Sequence, residues 1–208
     1  DRRQRQMCIR DSGHRPALGF NAPAFALILG VITPVADYSK ILAAHRRNSL
    51  AEPIRLPRGT HRFFSTEVLP LPIDKVFPFF ADARNLQAIT PPELEFRILT
   101  PLPIDLREGA LIDYRLRLSG VPFLWRTRIA HWDPPHTFID EQLKGPYAFW
   151  VHTHNFYDEG GRTRMDDEVL YRLPAWPLGE VAYPFVKAKV ERIFAYRRRQ
   201  VRKLLGVA

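Results

Sequence analysis

Two histidines spaced two residues apart, His152 and His154, are the residues best suited to chemistry in this sequence. Side chains at positions i and i+2 of a β-strand point to the same face of a sheet. With a carboxylate such as Asp140 or Asp167, the pair could bind one metal ion, and His154 with Asp167 could act as an acid-base dyad. A histidine can equally be neutral and hydrogen-bonded within a sheet. We therefore assign no metal, and we keep His154 and Asp167 as candidate catalytic residues.

Strand parity extends this face to aromatic and polar residues on neighbouring strands. Each buried polar group without a partner lowers stability by ~1–3 kcal/mol. This number of polar side chains therefore requires a hydrogen-bond network or a polar ligand and water. A mostly apolar and aromatic wall with a few polar groups is typical of a ligand-binding cavity. The predicted ligand-binding residues are Tyr114, Trp125, Thr127, Asp140, Gln142, Trp150, His152, His154, Tyr171, Val190 and Phe194.

Two alternatives remain open on this face. In segment 137–143 the inward set is taken as Phe138, Asp140 and Gln142, while the opposite set, Ile139, Glu141 and Leu143, fits nearly as well. Trp125 and Trp150 could also be core residues and not ligand contacts.

These residues belong to a region in which strand and helix patterns succeed one another. Period-2 alternation begins at His61, two short helical segments follow at 73–81 and 83–89, and strand-like runs occupy 94–99, 110–118, 123–132, 137–143, 148–157 and 163–173. Short connections make consecutive strands antiparallel. We predict an α+β domain over residues 61–206, in which about seven curved antiparallel strands surround a long C-terminal helix.

The C-terminal helix is predicted to begin between Leu178 and Pro184 and to end near Leu205. One face is apolar, and the other carries arginine and lysine, including 197–199. A basic run on a terminal helix is usually a solvated face favoured by the helix dipole, although it could contact an anionic surface. The apolar residues at helical spacing are Val186, Val190, Ile193, Phe194, Val201 and Leu204.

Residues 1–60 are interpreted as an extension that lies outside the domain. Residues 1–12 resemble translated adapter sequence and are treated as a sequencing artefact, 22–36 is an apolar segment of 15 residues with two prolines, and 37–59 reads as a short helix and a linker. The apolar segment is shorter than the ~20 residues that span a bilayer, so we expect no membrane insertion. A signal-peptide core is the alternative.

Charge and cysteine content narrow the expected partners and compartment. The net charge is +9, but residues 61–186 carry 13 Lys and Arg against 17 Asp and Glu, so the domain body has no basic field for a phosphate backbone and no nucleic-acid partner is expected. The single cysteine, Cys8, cannot form an internal disulfide, which favours a cytoplasmic location. The oligomeric state is left open.

Four sequence blocks together resemble the SRPBCC superfamily, which includes START and birch-pollen-allergen proteins. They are FFADARNLQAITPPELEFRILTP, GALIDYRLRLSGVPFLWRT, FIDEQLKGPYAFWVHTHNF and IFAYRRRQ, within residues 62–205. The resemblance implies a helix-grip fold with a deep cavity for lipids, quinones, polyketides or similar molecules. The bacterial branch that the chain resembles has no agreed reaction, so no catalytic residue is transferred.

Three functions follow as hypotheses. The first is binding of a hydrophobic or amphipathic small molecule without turnover and without a cofactor. The second is a cyclase, dehydrase or hydrolase that uses His154 with Asp167 or Asp140. The third is an interaction protein whose C-terminal basic helix binds an anionic partner.

Overall fold

A computed structural model describes residues 56–207, and its centre is a seven-stranded, entirely antiparallel sheet. Along the sheet the strands follow the order β1-β7-β6-β5-β4-β3-β2. The strands are β1 (Thr60–Leu69), β2 (Arg97–Ile98), β3 (Leu111–Leu118), β4 (Val121–Asp133), β5 (Thr137–Lys144), β6 (Phe149–Asp158) and β7 (Thr163–Arg172). The predicted α+β class, the curved antiparallel sheet and the long C-terminal helix are confirmed.

Three α-helices pack with this sheet: α1 (Ile73–Phe80), α2 (Asn85–Ala88) and α3 (Tyr183–Leu204). Proline occupies the first turn of α3, where its missing N–H costs nothing, and Arg202 and Lys203 occupy the last turn, where the helix dipole favours cations. Val190, Phe194 and Val201 are its buried residues. Leu204, predicted on the same apolar stripe, is instead 48% exposed, because the helix ends at this residue.

The predicted strand over 94–99 is mostly wrong. Pro92–Leu94 form a 3-10 turn, and Glu95 follows with a positive φ of 43°, so the chain cannot extend before Arg97. Only Arg97 and Ile98 pair with β3. The predictions for residues 1–55 lie outside the described residues, and β1 begins at Thr60.

The strand register brings the candidate residues on the concave face together. Asp140 on β5 pairs with His152 on β6, and His154 on β6 pairs with Asp167 on β7. Because neighbouring strands align paired residues on the same face, all four side chains lie side by side.

Strand β5 is buried on both faces, which explains why its pattern was ambiguous. Phe138 packs in the cluster beneath α1, while Ile139 packs with Ala130 and Val151 on the other side. Glu141 is also buried there, beside Arg128, and Leu143 is exposed. Within residues 56–207, no helix is long and apolar enough to cross a membrane.

Candidate functional site

A cavity of about 180 Å³ lies between the concave face of the sheet and the helices. Strands β3 to β6 form one wall, and α1, α2 and α3 contribute the others. Most of the lining is apolar or aromatic, and the polar groups include Thr127, Asp140, His152, His154 and Arg197. Its main apolar and aromatic lining residues are Phe80, Ile89, Phe96, Ile112, Tyr114, Leu116, Trp125, Ile129, Phe138, Tyr147, Trp150, Val190, Ile193 and Phe194.

Stacked and edge-on rings form one side of the cavity. The ring of Trp125 lies 5.9 Å from that of Tyr114 and 5.6 Å from that of Trp150, and Tyr147 lies 4.8 Å from Trp150. Thr127 ties two of these rings together, because its Oγ1 accepts from Trp125 Nε1 at 3.1 Å and lies 2.9 Å from the Tyr114 hydroxyl. Burial raises the pKa of Tyr114, which keeps its hydroxyl neutral. The wall is therefore preformed.

Two histidines and two aspartates form a connected group at the polar end of the cavity. Nε2 of His152 lies 3.1 Å from Oδ1 of Asp167, and Nδ1 of His152 lies 3.5 Å from Oδ2 of Asp140. Nε2 of His154 lies 3.2 Å from Oδ2 of Asp140. Nδ1 of His154 lies 2.8 Å from Oδ1 of Asp167, but its approach is not aligned for a hydrogen bond. Each imidazole thus stands between both carboxylates.

Burial and mutual contact set the ionisation of this tetrad, defined as Asp140, His152, His154 and Asp167. Burial alone would raise the pKa of Asp167, but the hydrogen bond from His152 and the close approach of His154 outweigh it and hold that pKa well below its ordinary range. Burial would also raise the pKa of Asp140, but the hydrogen bond from His154 and the proximity of His152 and Arg197 outweigh it and lower that pKa. Burial and the neighbouring His154 lower the pKa of His152 to about 4. At neutral pH the site therefore holds two carboxylates and a neutral His152.

Acid is expected to destabilise the fold through His152. In the unfolded chain its pKa is near 6.5, whereas in the folded protein it is about 4, so between these values only the unfolded state is protonated. Stability should be fully present above pH 6.5 and should fall by roughly 3 kcal/mol towards pH 4. Urea denaturation across this range, in EDTA so that no ion competes with protons, measures the loss.

His152→Gln supplies the control for this prediction, because glutamine has no proton to gain in this range. The fall in stability between pH 6.5 and 4 should be smaller in the variant than in the parent. Equal pH profiles for the two proteins would show that another group carries the effect.

Arg197 on α3 reaches the same cavity from the opposite side. Its guanidinium lies 5.7 Å from the Phe80 ring and 6.0 Å from the Phe194 ring, and its Nε is buried without a hydrogen-bond partner among the described residues. The charge of Arg197 also contributes to the lowered pKa of Asp140. The guanidinium of a residue that lines the cavity can donate to an acceptor on a ligand.

Most residues predicted to bind a ligand line this cavity, but two do not. Gln142 turns away to donate from Nε2 to the Tyr147 carbonyl at 2.8 Å, and its side chain fills the space where a Cβ on Gly145 would stand. Tyr171 packs behind Trp150, with ring centres 5.7 Å apart. Asp167 also lies behind the lining, against the two imidazoles. Those that line it are Tyr114, Trp125, Thr127, Asp140, Trp150, His152, His154, Val190 and Phe194.

Tyr147 and Arg197 line the cavity but were absent from the predicted site. Tyr147 lies just before β6 in the Gly-Pro-Tyr turn, where strand parity does not apply. Arg197 falls in the basic run that was interpreted as a solvated face. Its spacing of three residues from Phe194 places it on the buried side of a helix, and this was the available signal.

The C-terminal basic residues do not form one surface. Arg197 faces the cavity, Arg202 lies 3.3 Å from Glu67, and Arg192 lies 2.9 Å from Glu93. Arg198, Arg199 and Lys203 are exposed.

A second concavity, of about 460 Å³, lies largely outside the sheet. Exposed side chains bound it, including Leu99, Leu111 and Leu124, together with the ion pair between Arg126 and Asp113. The tetrad does not line it. It is a surface depression whose lining includes exposed charged side chains.

Solved structures with the same architecture include two enzymes of small-molecule chemistry. The ZhuI aromatase/cyclase from a Streptomyces species aligns with a TM-score of 0.58 at 18% identity, over 71% of this chain and 94% of that one. Norcoclaurine synthase from Thalictrum flavum, in complex with dopamine and hydroxybenzaldehyde, aligns with a TM-score of 0.53 at 14% identity, over 74% of this chain and 95% of that one. Protein Ms6760 from Mycobacterium smegmatis aligns with a TM-score of 0.53 at 19% identity, over 74% of this chain and 97% of that one.

At these identities the likeness establishes the fold. No family model and no curated protein matches the chain.

Proposed function

Because the described part of the chain has the helix-grip fold of the SRPBCC superfamily, we propose that its cavity binds a small aromatic molecule carrying an acceptor oxygen. One observation carries the proposal: an aromatic-walled cavity of about 180 Å³ is lined by Arg197, whose Nε has no hydrogen-bond partner among the described residues. Apolar walls with few convergent polar groups are the usual composition of small-molecule sites.

The cavity volume favours a ligand of one or two rings. An engineered apolar cavity of ~150 Å³ in another protein holds benzene, so about 180 Å³ suits a single substituted ring. Long lipids and large polyketides, both compatible with the sequence, would require the cavity to widen. Norcoclaurine synthase, which shares the fold, is complexed with dopamine and hydroxybenzaldehyde, and both are single-ring aromatics.

The electrostatics of the cavity favour a particular kind of substituent. The rings of Trp125 and Trp150 suit an aromatic body through stacking and edge contacts. Arg197 favours a ligand with an acceptor oxygen. A hydrogen bond to a charged group such as its guanidinium typically contributes ~1.5–3 kcal/mol. A carboxylate is the strongest acceptor of this class, and a carbonyl or phenol oxygen is weaker.

Arg197→Met tests this recognition directly. We expect the parent protein to bind 4-hydroxybenzoate more tightly than its neutral isostere 4-hydroxybenzamide, by ~10-fold to 100-fold, because only the first offers a charged acceptor. Arg197→Met should remove that difference. Calorimetry and the fluorescence of Trp125 and Trp150, which line the cavity, measure both affinities in metal-free buffer.

The adjacent Arg198→Met is the matched control, since Arg198 is exposed and does not line the cavity. It should keep the preference of the parent protein. Equal affinity for acid and amide in the parent, or an equal loss in both variants, would contradict the assignment of Arg197 to the ligand.

An enzyme is the second candidate function, and the position of His154 favours it. Its ring lies between two carboxylates at the polar end of the cavity, and the Phe138 ring stacks on it at 4.1 Å. Such an imidazole could transfer a proton to or from a bound molecule, which typically contributes 10²–10⁴-fold to rate. His154→Gln should then bind the ligand as tightly as the parent protein but not convert it. Chromatography of the ligand after incubation with each protein measures the conversion.

A further inference from the structure

Three potential metal ligands converge at the cavity surface. Oδ2 of Asp140 lies 3.5 Å from Nδ1 of His152 and 3.2 Å from Nε2 of His154, and one ligand atom from each residue falls within 4.8 Å of the others. The two histidines supply different ring nitrogens to the same carboxylate oxygen. The three ligand atoms are therefore close enough to one another to contact a single ion at one common point.

The two distances to the carboxylate match the edges of a tetrahedral metal site. Bonds of ~2.0–2.1 Å from zinc to nitrogen or oxygen place two ligands of a tetrahedron ~3.3–3.4 Å apart. The contacts at 3.2 and 3.5 Å bracket that value. They are long for hydrogen bonds to a carboxylate, which are usually ~2.7–2.9 Å when charge-assisted. An ion at the common point would satisfy all three groups.

Asp167 is placed to support such a site from behind. Its Oδ1 lies 3.1 Å from Nε2 of His152 and 2.8 Å from Nδ1 of His154, which are the nitrogens that face away from Asp140. Metal-binding histidines usually donate their second ring N–H to a carboxylate or carbonyl, which fixes the tautomer. With Nε2 of His152 donating to Asp167, its Nδ1 keeps a lone pair 3.5 Å from Oδ2 of Asp140. Nε2 of His154 lies 3.2 Å from the same oxygen, so a cation between the three atoms would stabilise the group.

The charge and exposure of the tetrad also suit a dication. Asp140 and Asp167 place two carboxyl groups at the polar end of an otherwise apolar cavity, and Arg197 is the cation that also lines it. Asp167 is 1% exposed and Asp140 is 20% exposed, so the open side of the group faces the cavity. A fourth coordination position would therefore be accessible to water or to a ligand.

We propose that Nδ1 of His152, Nε2 of His154 and Oδ2 of Asp140 bind one divalent transition-metal ion whose open position faces the cavity. Two imidazoles and one carboxylate suit Zn²⁺, Fe²⁺ and related ions better than Mg²⁺ or Ca²⁺. The sequence alone did not justify a metal, because a histidine on a strand can equally be neutral and hydrogen-bonded within the sheet.

The test uses the full chain without a polyhistidine tag, stripped with EDTA and titrated with Zn²⁺ and with Co²⁺. Calorimetry should give one Zn²⁺ per chain, Co²⁺ should develop the visible absorption of a low-coordinate nitrogen and oxygen site, and Zn²⁺ should raise the Tm. Asp140→Asn should weaken Zn²⁺ binding by more than the ~10–100-fold typical of losing an outer partner. His152→Ala supplies a second ligand deletion, and circular dichroism reports whether each variant is folded.

His131→Gln is the control for adventitious binding, because His131 lies 3.6 Å from Glu108 and outside the tetrad. It should bind Zn²⁺ like the parent protein. Zn²⁺ binding that survives in folded Asp140→Asn, or no binding and no rise in Tm in the parent protein, would overturn the proposal. The aromatic-ligand titrations use metal-free protein, so the two proposals can fail independently.

Discussion

Replacing Asp167 with alanine is expected to lower the free energy of unfolding by about 1–3 kcal/mol, the usual cost of leaving a buried polar group without its hydrogen-bond partner. Its carboxylate is 1% exposed and contacts both His152 and His154. The substitution leaves Nε2 of His152 without its acceptor and opens a polar void between β6 and β7. Urea denaturation at pH 7 in EDTA measures the loss.

Asp113→Ala is the contrasting substitution at the surface. Asp113 pairs with Arg126 at 2.7 Å, but both side chains are more than one-third exposed, and exposed ion pairs contribute only ~0–1 kcal/mol. Asp167→Asn keeps one acceptor oxygen, so its loss in the free energy of unfolding should lie between those of the two alanine variants. Equal losses for Asp113→Ala and Asp167→Ala would mean that the tetrad does not act as a buried, mutually dependent group.

Leu116→Trp is expected to weaken binding of 4-hydroxybenzoate by about tenfold to a hundredfold. Leu116 lines the cavity, and an indole there would occupy space that the ligand needs. Accommodating excess volume in a packed interior costs ~1–3 kcal/mol, which corresponds to that range of affinity. Calorimetry measures the affinity, and thermal unfolding shows whether the variant retains its fold.

Leu124→Trp makes the same chemical change outside the sheet. Leu124 is 54% exposed and borders the larger outer concavity. It should leave affinity unchanged. A loss in Leu124→Trp with none in Leu116→Trp would move the ligand to the outer surface and reject the internal cavity.

The architecture could be predicted from sequence because its signals are local and repeated. Alternation of apolar and polar residues, turn residues and the apolar stripe of α3 each limit the fold independently, and they agree. The failure at 94–99 has a local cause: two prolines just before the segment start a 3-10 turn that ends at Leu94, and Glu95 then has a positive φ. Leu204 was wrongly predicted to be buried, because a periodic pattern does not show where along the helix contact with the rest of the domain ends.

The concave face was partly predictable for a similar reason. Parity fixes the face of His152, His154 and Trp150 once β6 is recognised. It does not show that the Gln142 side chain bonds the Tyr147 carbonyl, or that Tyr171 lies behind Trp150. Those positions depend on turn geometry and on packing between strands.

Two features of the site could not be predicted from sequence: the side chains that α3 places in the cavity, and the contacts within the tetrad. Both depend on contacts between elements that are distant in sequence. Charge patterning assigned Arg197 to solvent together with Arg198 and Arg199, although the rotation of the helix turns Arg197 towards Phe80. The four contacts of the tetrad join residues on three strands. Their distances depend on the register of β5, β6 and β7, and no spacing within one segment can supply them.

Binding of a small aromatic molecule in the cavity beneath α3 can be tested by native mass spectrometry of the full chain with 4-hydroxybenzoate. We expect a one-to-one adduct in the parent protein and in Leu124→Trp, and a much weaker adduct in folded Leu116→Trp. Solvent extraction of the protein as purified should release a small aromatic compound if the host supplies one. A parent protein that forms no adduct, with this acid or with a panel of one- and two-ring aromatic acids, would contradict the claim.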